Sequence, residues 1–272
     1  MPETETGIRI TRIPQGHGVV AEVCLDRPDV RNAFDDALIQ AVMAAFTQLG
    51  KDANVRVIIL RGEGSAFCAG ADLHWMRCSV DYTFSENVQD AHHLAAMLKT
   101  IQDCPKPVIA RIHGAVFGGG IGLVAACDIA LAVESAKFCL SETRLGLIPA
   151  VISPFVVQKI GLTAARRYFL TAEVFSAVQA VRLNLISETA ADEEALDSLL
   201  ETIVNAILAN GPEALAQGKV LLEQITHYSW ERAVDITTKM IAERRASAEG
   251  QEGMRAFLEK RPPRWQQTDP AV

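Results

Sequence analysis

The sequence lacks any apolar run approaching the ~18 consecutive residues that a membrane-spanning helix needs. Residues 1–6 are acidic and lack both the basic and the apolar region of a secretion signal, and they do not resemble an arginine-rich transit peptide. Positive charge is also scarce, because 26 Lys and Arg face 33 Asp and Glu, which gives a net charge of −7. This balance argues against a nucleic-acid groove. We therefore expect a cytoplasmic protein whose partner is neither a membrane nor a nucleic acid.

Cysteine and histidine do not occur at metal-binding or disulfide-forming spacings. No C-x-x-C pair is present, and most cysteines lie in apolar segments, so we expect reduced core thiols. The histidines show no ligand spacing either, and the adjacent His92 and His93 would point in different directions on a helix. The sequence therefore predicts no metal site. The cysteines are Cys24, Cys68, Cys78, Cys104, Cys127 and Cys139.

Short segments rich in Val and Ile, bounded by Gly, Pro or Asp, predict four strands. The second and third are apolar at nearly every position, which is typical of strands buried on both faces. The predicted strands are Val19–Leu25, Val55–Leu60, Val108–Ile112 and Asp128–Val133.

Helices are predicted between and after these strands, and they dominate the chain beyond Pro149. The fold class is therefore α/β, with a core over residues 1–205 and a helical region over 206–272 that we expect to pack on another subunit. The predicted helices are Asn32–Leu49, with Asn32 as the cap, Glu86–Ile101, Pro154–Ile160, Ala164–Leu170, Ser176–Leu183, Glu193–Leu208, Pro212–Glu223, Trp230–Ala248 and Glu252–Lys260.

The segment Gly118–Gly122 holds four glycines in five positions and follows a predicted strand. Its loose G-x-G-x-x-A pattern resembles a dinucleotide-binding loop. However, the next strand begins at Asp128, which leaves too few residues for a crossover helix between parallel strands. There is also no Gly-Lys-Ser/Thr of a phosphate-binding loop. Both nucleotide-binding interpretations are therefore disfavoured.

A short helix that begins near Gly119 would present unpaired N–H groups at its first turn, and the glycines would let a developing anion come close. A second strand followed by small residues lies in "EGSAFCAGADLHWM", residues 63–76. Two such turns that face one point could polarise a carbonyl oxygen. The alternative is that both are tight turns whose glycines serve packing only.

Five stretches together resemble the crotonase, or enoyl-CoA hydratase/isomerase, superfamily, and they occur in family order over nearly the whole chain. They are "RPDVRNAF", "GSAFCAGADL", "PVIARIHGAVFGGGIGLVAACDIALA", "FCLSETRLGLIPA" and "GMRAFLEKRPPRW". The resemblance implies a spiral of ββα units and a helical C-terminal region that forms trimers, which usually pair into hexamers. It also implies an acyl-CoA thioester as substrate, so that coenzyme A arrives with the substrate and no separate cofactor is needed. The enolate oxygen would be bound by the backbone N–H groups of Ala71 and Gly119.

The resemblance also identifies the acid/base. Two-carboxylate hydratases of this family have one glutamate at the position of Gly122 and another at the position of Glu142, so this chain keeps only the second. One carboxylate can move a proton between two carbons, as an isomerase requires. It could also hold a water and return its proton to the α-carbon, although a second group usually fixes that water.

Further positions follow from the same motifs. For coenzyme A the resemblance implies Arg31, Ala69, Asp72, Leu73 and Lys260. The acyl pocket is predicted to involve Trp75, Met76, Gly122 and Arg144.

The stretch "SETRLGLIPAVISPFVVQKIG", followed by "AARRYFLTAE", looks like bacterial methylglutaconyl-CoA hydratases and their relatives, whose substrate carries a distal carboxylate. Such a group would need a cation or several donors, for which His74, Arg77 and Arg144 are the candidates. The leading hypothesis is a hydratase of a branched or carboxylated enoyl-CoA. The alternatives are an enoyl-CoA isomerase that uses Glu142 alone, and a non-catalytic member that binds coenzyme A or RNA.

Overall fold

The computed structural model describes residues 7–16, 18–225 and 228–267. Within these residues two β-sheets are surrounded by helices. The strands are β1 (Ile8–Gln15), β2 (Gly18–Leu25), β3 (Val55–Gly62), β4 (Ala66–Cys68), β5 (Val108–Ile112), β6 (Ala115–Phe117), β7 (Ile129–Val133), β8 (Lys137–Cys139), β9 (Phe175–Ser176) and β10 (Glu188–Ala190). The helices are α1 (Asp36–Lys51), α2 (Leu73–Ser79), α3 (Phe84–Gln102), α4 (Gly119–Ala126), α5 (Ser153–Thr171), α6 (Ala177–Arg182), α7 (Glu193–Leu208), α8 (Pro212–Ile225), α9 (Trp230–Ala246) and α10 (Ala248–Leu258).

The larger sheet has the strand order β1-β2-β3-β5-β7-β10 and is parallel except for the β1–β2 hairpin. The four strands predicted from the sequence are confirmed as β2, β3, β5 and β7. Every residue of β5 is buried, as its unbroken apolar run indicates. The edge strand β1 lies outside the prediction, and six of its eight residues are exposed.

The smaller sheet has the order β4-β6-β8-β9, with β4, β6 and β8 parallel. Each of its first three strands follows a strand of the larger sheet and precedes a helix, so the chain repeats a strand–strand–helix unit: β3, β4 and α2; β5, β6 and α4; β7, β8 and α5. The predicted α/β class and the spiral of ββα units are confirmed. The sequence did not reveal the smaller sheet, because strands of two or three residues are too short to show a period.

The prediction that Asn32 caps the first helix is wrong. Helix α1 begins at Asp36, and the carboxylate of Asp35 caps it by accepting from the N–H of Leu38. Asn32 is instead fully buried in the left-handed conformation, at φ 56°. Its amide accepts from the N–H of Arg27 at 2.9 Å and donates to the carbonyls of Glu63 at 2.9 Å and Ala66 at 2.7 Å. Asn32 therefore joins the loop before α1 to the chain that leads into β4.

Helix α5 contains the break that separates the two predicted helices of this segment. Gly161 has φ 71° and ψ 164°, a conformation outside the helical region that favours glycine. In the described ranges no helix is both long and apolar enough to cross a bilayer.

The C-terminal region consists of α8, α9 and α10, which follow α7. The predicted boundary after residue 205 falls inside α7, whose apolar face is buried against the core. By contrast, large apolar side chains of α9 and α10 are open to solvent, with Trp230 79% and Phe257 83% exposed. Trimer formation stays a prediction.

Candidate active site

The turns after β4 and β6 lie side by side. Because β4 and β6 are neighbouring parallel strands, both turns leave the same edge of the smaller sheet. A Cβ atom built on Gly70 would lie 3.2 Å from the carbonyl oxygen of Phe117. Gly70 has φ +95°, which a residue with a side chain rarely adopts. The close approach of the two turns therefore requires glycine at position 70.

The N–H group of Ala71 points away from the chain that pairs with it. The N–H of Phe34 donates to the carbonyl of Gly70 at 2.7 Å, and the N–H of Asp72 donates to the carbonyl of Phe34 at 2.8 Å. Since successive peptide groups of an extended chain face opposite sides, this bridge turns the N–H of Ala71 to the other side. Among the described residues, none accepts a hydrogen bond from it.

The N–H group of Gly119 lies at the start of α4, where intrahelical acceptors are missing. Gly118 precedes it as the cap, with φ 51° and ψ −124°, a conformation open essentially to glycine alone. A Cβ atom on Gly119 would lie 2.8 Å from Cε2 of Phe34. Phe34 thus pairs with the first turn through its backbone and packs under the second through its ring. The two predicted N–H donors belong to turns that one residue holds together.

Glu142 begins a 3-10 turn, Glu142–Leu145, directly after β8. Its carboxylate lies beside the start of α4, where a methyl group built on Gly118 would be 3.6 Å from Oε1. The other oxygen, Oε2, is buried and has no hydrogen-bond partner in the described structure. Burial raises the pKa of this carboxyl above its usual value, and its own backbone N–H opposes that shift only in part. A carboxylate of this kind readily accepts a proton, which suits a general base.

The position of the missing second carboxylate is sealed by apolar side chains. A Cβ atom built on Gly122 would lie 2.5 Å from Cγ2 of Ile152 and 3.2 Å from Cδ1 of Leu98. Both of these side chains are buried. The three atoms nearest to such a Cβ all belong to these apolar side chains, so packed hydrocarbon adjoins Gly122.

Four residues predicted to contact coenzyme A cluster around the turn into α2. The N–H of Ala69 donates to the carbonyl of Arg31 at 3.0 Å, and the exposed Leu73 is the first residue of the helix. The carboxylate of Asp72 caps α2 by accepting from the N–H groups of His74 and Trp75. It also pairs with Arg27 at 3.2 Å. These bonds give Asp72 a structural role, which its sequence motif did not predict.

The remaining predicted residues are more dispersed. Trp75 and Met76 lie partly buried on α2. Arg144 donates from Nη2 to the carbonyl of Ala172 at 2.5 Å. Lys260 is exposed after the end of α10, and within the described ranges no hydrogen bond or ion pair joins it to the other predicted residues. The roles predicted for all these site residues stay predictions.

A cavity of about 700 Å³ lies at the opposite end of α4, between α3, α5 and α8. Its lysines serve the fold, because Lys159 donates to the carbonyl of Cys127 at 3.0 Å and Lys219 pairs with Asp128 at 2.7 Å. Among residues 7–16, 18–225 and 228–267, no group of His, Cys, Asp or Glu side chains could hold a metal ion. The turns at the start of α4 therefore remain the candidate site.

Sequence reasoning missed Phe34 and Ile152. Phe34 lies in "RPDVRNAF" and Ile152 lies two residues after "FCLSETRLGLIPA", but an apolar residue gives no sign of the contact it will make. Only the glycines at 119 and 122 marked the space that these two side chains fill.

Gly122→Ala should destabilise the fold by about 1–3 kcal/mol, because its methyl group would overlap Ile152. The matched control is Gly218→Ala in α8, where an added Cβ meets nothing within 4 Å. Alanine favours a helix over glycine by about 1 kcal/mol in both variants, so their difference in free energy of unfolding by urea isolates the overlap. Equal effects of the two substitutions would show that Ile152 does not seal the position.

Glu142→Gln should raise the thermal midpoint at neutral pH, because it removes a charge that burial disfavours. The raised pKa of Glu142 means that the native state binds this proton more tightly than the unfolded state, so the gain should shrink as the pH falls through the raised pKa. It should vanish below the ordinary glutamate pKa of about 4.3. Glu173→Gln is the control with the opposite sign, since Arg167 lowers the pKa of Glu173. A Glu142→Gln protein less stable than the parent at neutral pH would contradict this account.

Comparison with known proteins agrees with the geometry. The sequence profile described as enoyl-CoA hydratase/isomerase matches residues 15–268. The crystal structure of an enoyl-CoA hydratase from Shewanella pealeana shares 40% identity and a TM-score of 0.91, over 97% of each chain. That of Pseudomonas aeruginosa AtuE shares 36% identity and a TM-score of 0.90, over 95% of this chain and 99% of its own. A mitochondrial Delta(3,5)-Delta(2,4)-dienoyl-CoA isomerase from Dictyostelium discoideum is 31% identical over 90% of this chain and 86% of its own. Two adjoining turns whose N–H groups meet no acceptor in the described structure, a half-buried glutamate beside them and these matches together show that the chain is an enzyme of the enoyl-CoA hydratase/isomerase family.

Proposed function

We propose that this enzyme adds water reversibly to the double bond of an enoyl-CoA. The observation that carries the proposal is the buried, unpartnered Oε2 of Glu142 beside the start of α4. A thioester oxygen bound by the N–H groups of Ala71 and Gly119 would lie close to that carboxylate. Each such donor is worth on the order of 10²–10³ in rate when charge develops on the oxygen.

The proposed reaction needs one carboxylate that acts twice. Glu142 takes a proton from water while the water oxygen bonds to the β-carbon, and the electrons of the double bond move onto the thioester oxygen. The backbone N–H groups of Ala71 and Gly119 stabilise this enolate. The protonated Glu142 then returns the proton to the α-carbon, which regenerates the thioester and the carboxylate. The oxygen and both hydrogens of the water are thus kept in the product, and Glu142 returns to its ionised form.

A branched or carboxylated acyl group, such as 3-methylglutaconyl, is the proposed substrate class. Helix α2 supports it, because its exposed Arg77 makes no hydrogen bond or ion pair within the described structure. Arg144, the other predicted cation, already donates to the carbonyl of Ala172. Arg77, with the neighbouring His74, therefore remains as the proposed partner of a distal carboxylate.

The packing at Gly122 favours a second candidate activity. With Ile152 against it, the site keeps a single acid/base, and moving a proton between two carbons requires no more. An enoyl-CoA isomerase is therefore the alternative activity.

Assembly and location are proposed as well. The exposed apolar side chains of α9 and α10 support a homotrimer or a dimer of trimers, since faces of this kind commonly mark subunit contacts. A cytoplasmic location stays a prediction from the sequence, as does the absence of a nucleic-acid partner.

Assays on a 2-enoyl-CoA and a 3-enoyl-CoA distinguish the two activities. We expect loss of the enoyl thioester absorbance and a hydrated product from the 2-enoyl substrate. Glu142→Gln should lower kcat/KM by at least ~10²-fold, because the general acid/base is lost. Glu134→Gln, at an exposed turn, should leave it unchanged. Isomerisation without any hydrated product would replace the hydratase proposal by the alternative, and full turnover by Glu142→Gln would contradict both.

Arg77→Ala tests the proposed acyl group. We expect KM for a carboxylated enoyl-CoA to rise about tenfold, which corresponds to ~1.4 kcal/mol, while KM for a neutral short-chain enoyl-CoA stays the same. Arg166→Ala, an exposed arginine of α5, is the charge-matched control. An equal effect on both substrates would argue against a role for Arg77 in selecting a carboxylate.

A further inference from the structure

A hydroxyl group adjoins the carboxylate of Glu142. A methyl group built on Gly118 would lie 3.7 Å from Oγ of Ser141 and 3.6 Å from Oε1 of Glu142. The hydroxyl and the carboxylate therefore flank the same small volume, directly before the N–H of Gly119.

Ser141 lies at a cap position, where a serine side chain usually bonds to the backbone of the following turn. It precedes the 3-10 turn Glu142–Leu145 as its cap, where a serine side chain typically accepts from the N–H groups of the first turn. Here its backbone is in the helical region, at φ −88° and ψ −4°, and its side chain makes no capping bond. In the described ranges, no hydrogen bond uses this hydroxyl. A capping task therefore does not explain it.

Ser141 lies where its hydroxyl could assist Glu142. The position of a second carboxylate at Gly122 is filled by Ile152 and Leu98. A second group besides the base usually orients a water that attacks carbon. The three atoms nearest to a methyl group built on Gly118 all belong to Glu142 and Ser141.

We propose that Ser141 is a positioning residue that orients the attacking water, an inference that rests on the hydratase function proposed above. Its Oγ accepts one hydrogen of the water, Glu142 takes the other as a proton, and a lone pair of the water oxygen then faces the β-carbon. Ser141 itself gains and loses no proton. In this arrangement a hydroxyl and a carboxylate do what two carboxylates do elsewhere in the family.

The proposed role of Ser141 should affect hydration but not a second reaction of the same site, the exchange of α-hydrogens. Hydration needs the oriented water, whereas exchange of the α-hydrogens of a saturated acyl-CoA with D₂O needs only Glu142 and the two N–H groups. Ser141→Ala should lower kcat for hydration about tenfold to a hundredfold. The exchange rate should stay within about twofold of the parent, and so should KM for the enoyl-CoA.

Two further variants make the test specific. Ser141→Thr keeps the hydroxyl and should recover most of the hydration rate. Ser198→Ala removes an exposed hydroxyl of α7 that bonds within its own helix, and it should change neither reaction. Thermal midpoints of all variants show whether each has folded.

The outcomes are distinguishable. If the parent enzyme hydrates and Ser141→Ala hydrates equally well, the inference is wrong and the hydratase function stands. If Ser141→Ala slows hydration and exchange alike, Ser141 acts on Glu142 or on the fold, and the inference is again wrong. If the parent enzyme forms no hydrated product, the proposed function fails, and the role of Ser141 fails with it.

Discussion

The close approach of two backbone turns is the constraint on which the candidate site depends. Phe34 enforces it twice, because its main chain pairs with Gly70 and Asp72 while its ring lies where a side chain of Gly119 would be. The backbone bridge fixes the direction of the Ala71 N–H, and the buried ring of Phe34 fixes the distance between the two turns. The N–H groups of Ala71 and Gly119 are therefore oriented before any substrate arrives, which is the condition under which such donors stabilise developing charge without reorganisation.

Glu142 illustrates the competition between two electrostatic effects. A hydrogen bond from its own backbone N–H favours the negative charge and lowers the pKa of this carboxyl. Burial in a place with no partner for Oε2 acts in the opposite direction, and the net shift is upward. The loss of hydration thus outweighs this hydrogen bond. The charged form of Glu142 is therefore disfavoured in this structure, and Ile152 packs apolar surface against Gly122.

The parts of this structure that follow from short-range pattern were predictable from the sequence. The apolar runs of β3 and β5, the start of α4 at Gly119 and the break near Gly161 all follow from local preferences. The smaller sheet was not predictable in this way, since β4, β6 and β8 have three residues each and exist because neighbouring strands pair with them.

The same division holds inside the candidate site. The glycines at 118, 119 and 122 indicated that something must come close, and the family resemblance pointed to Glu142. What comes close to Gly119 and Gly122, Phe34 and Ile152 respectively, depends on contacts between distant segments. Asn32 shows the limit most clearly, because a residue type that often caps helices here bonds three backbone groups in two segments, its own loop and the chain that leads from β3 into β4.

The contact between Gly122 and Ile152 restricts how this enzyme could have diverged from relatives with two carboxylates. A glutamate gained at position 122 would have to enter a space already filled by a branched side chain, so the order of changes matters. Replacement of Ile152 by a smaller residue has to come first, and that step alone opens a void in the core. An intermediate with a shortened residue 152 and an unchanged Gly122 is therefore expected to be less stable than this chain.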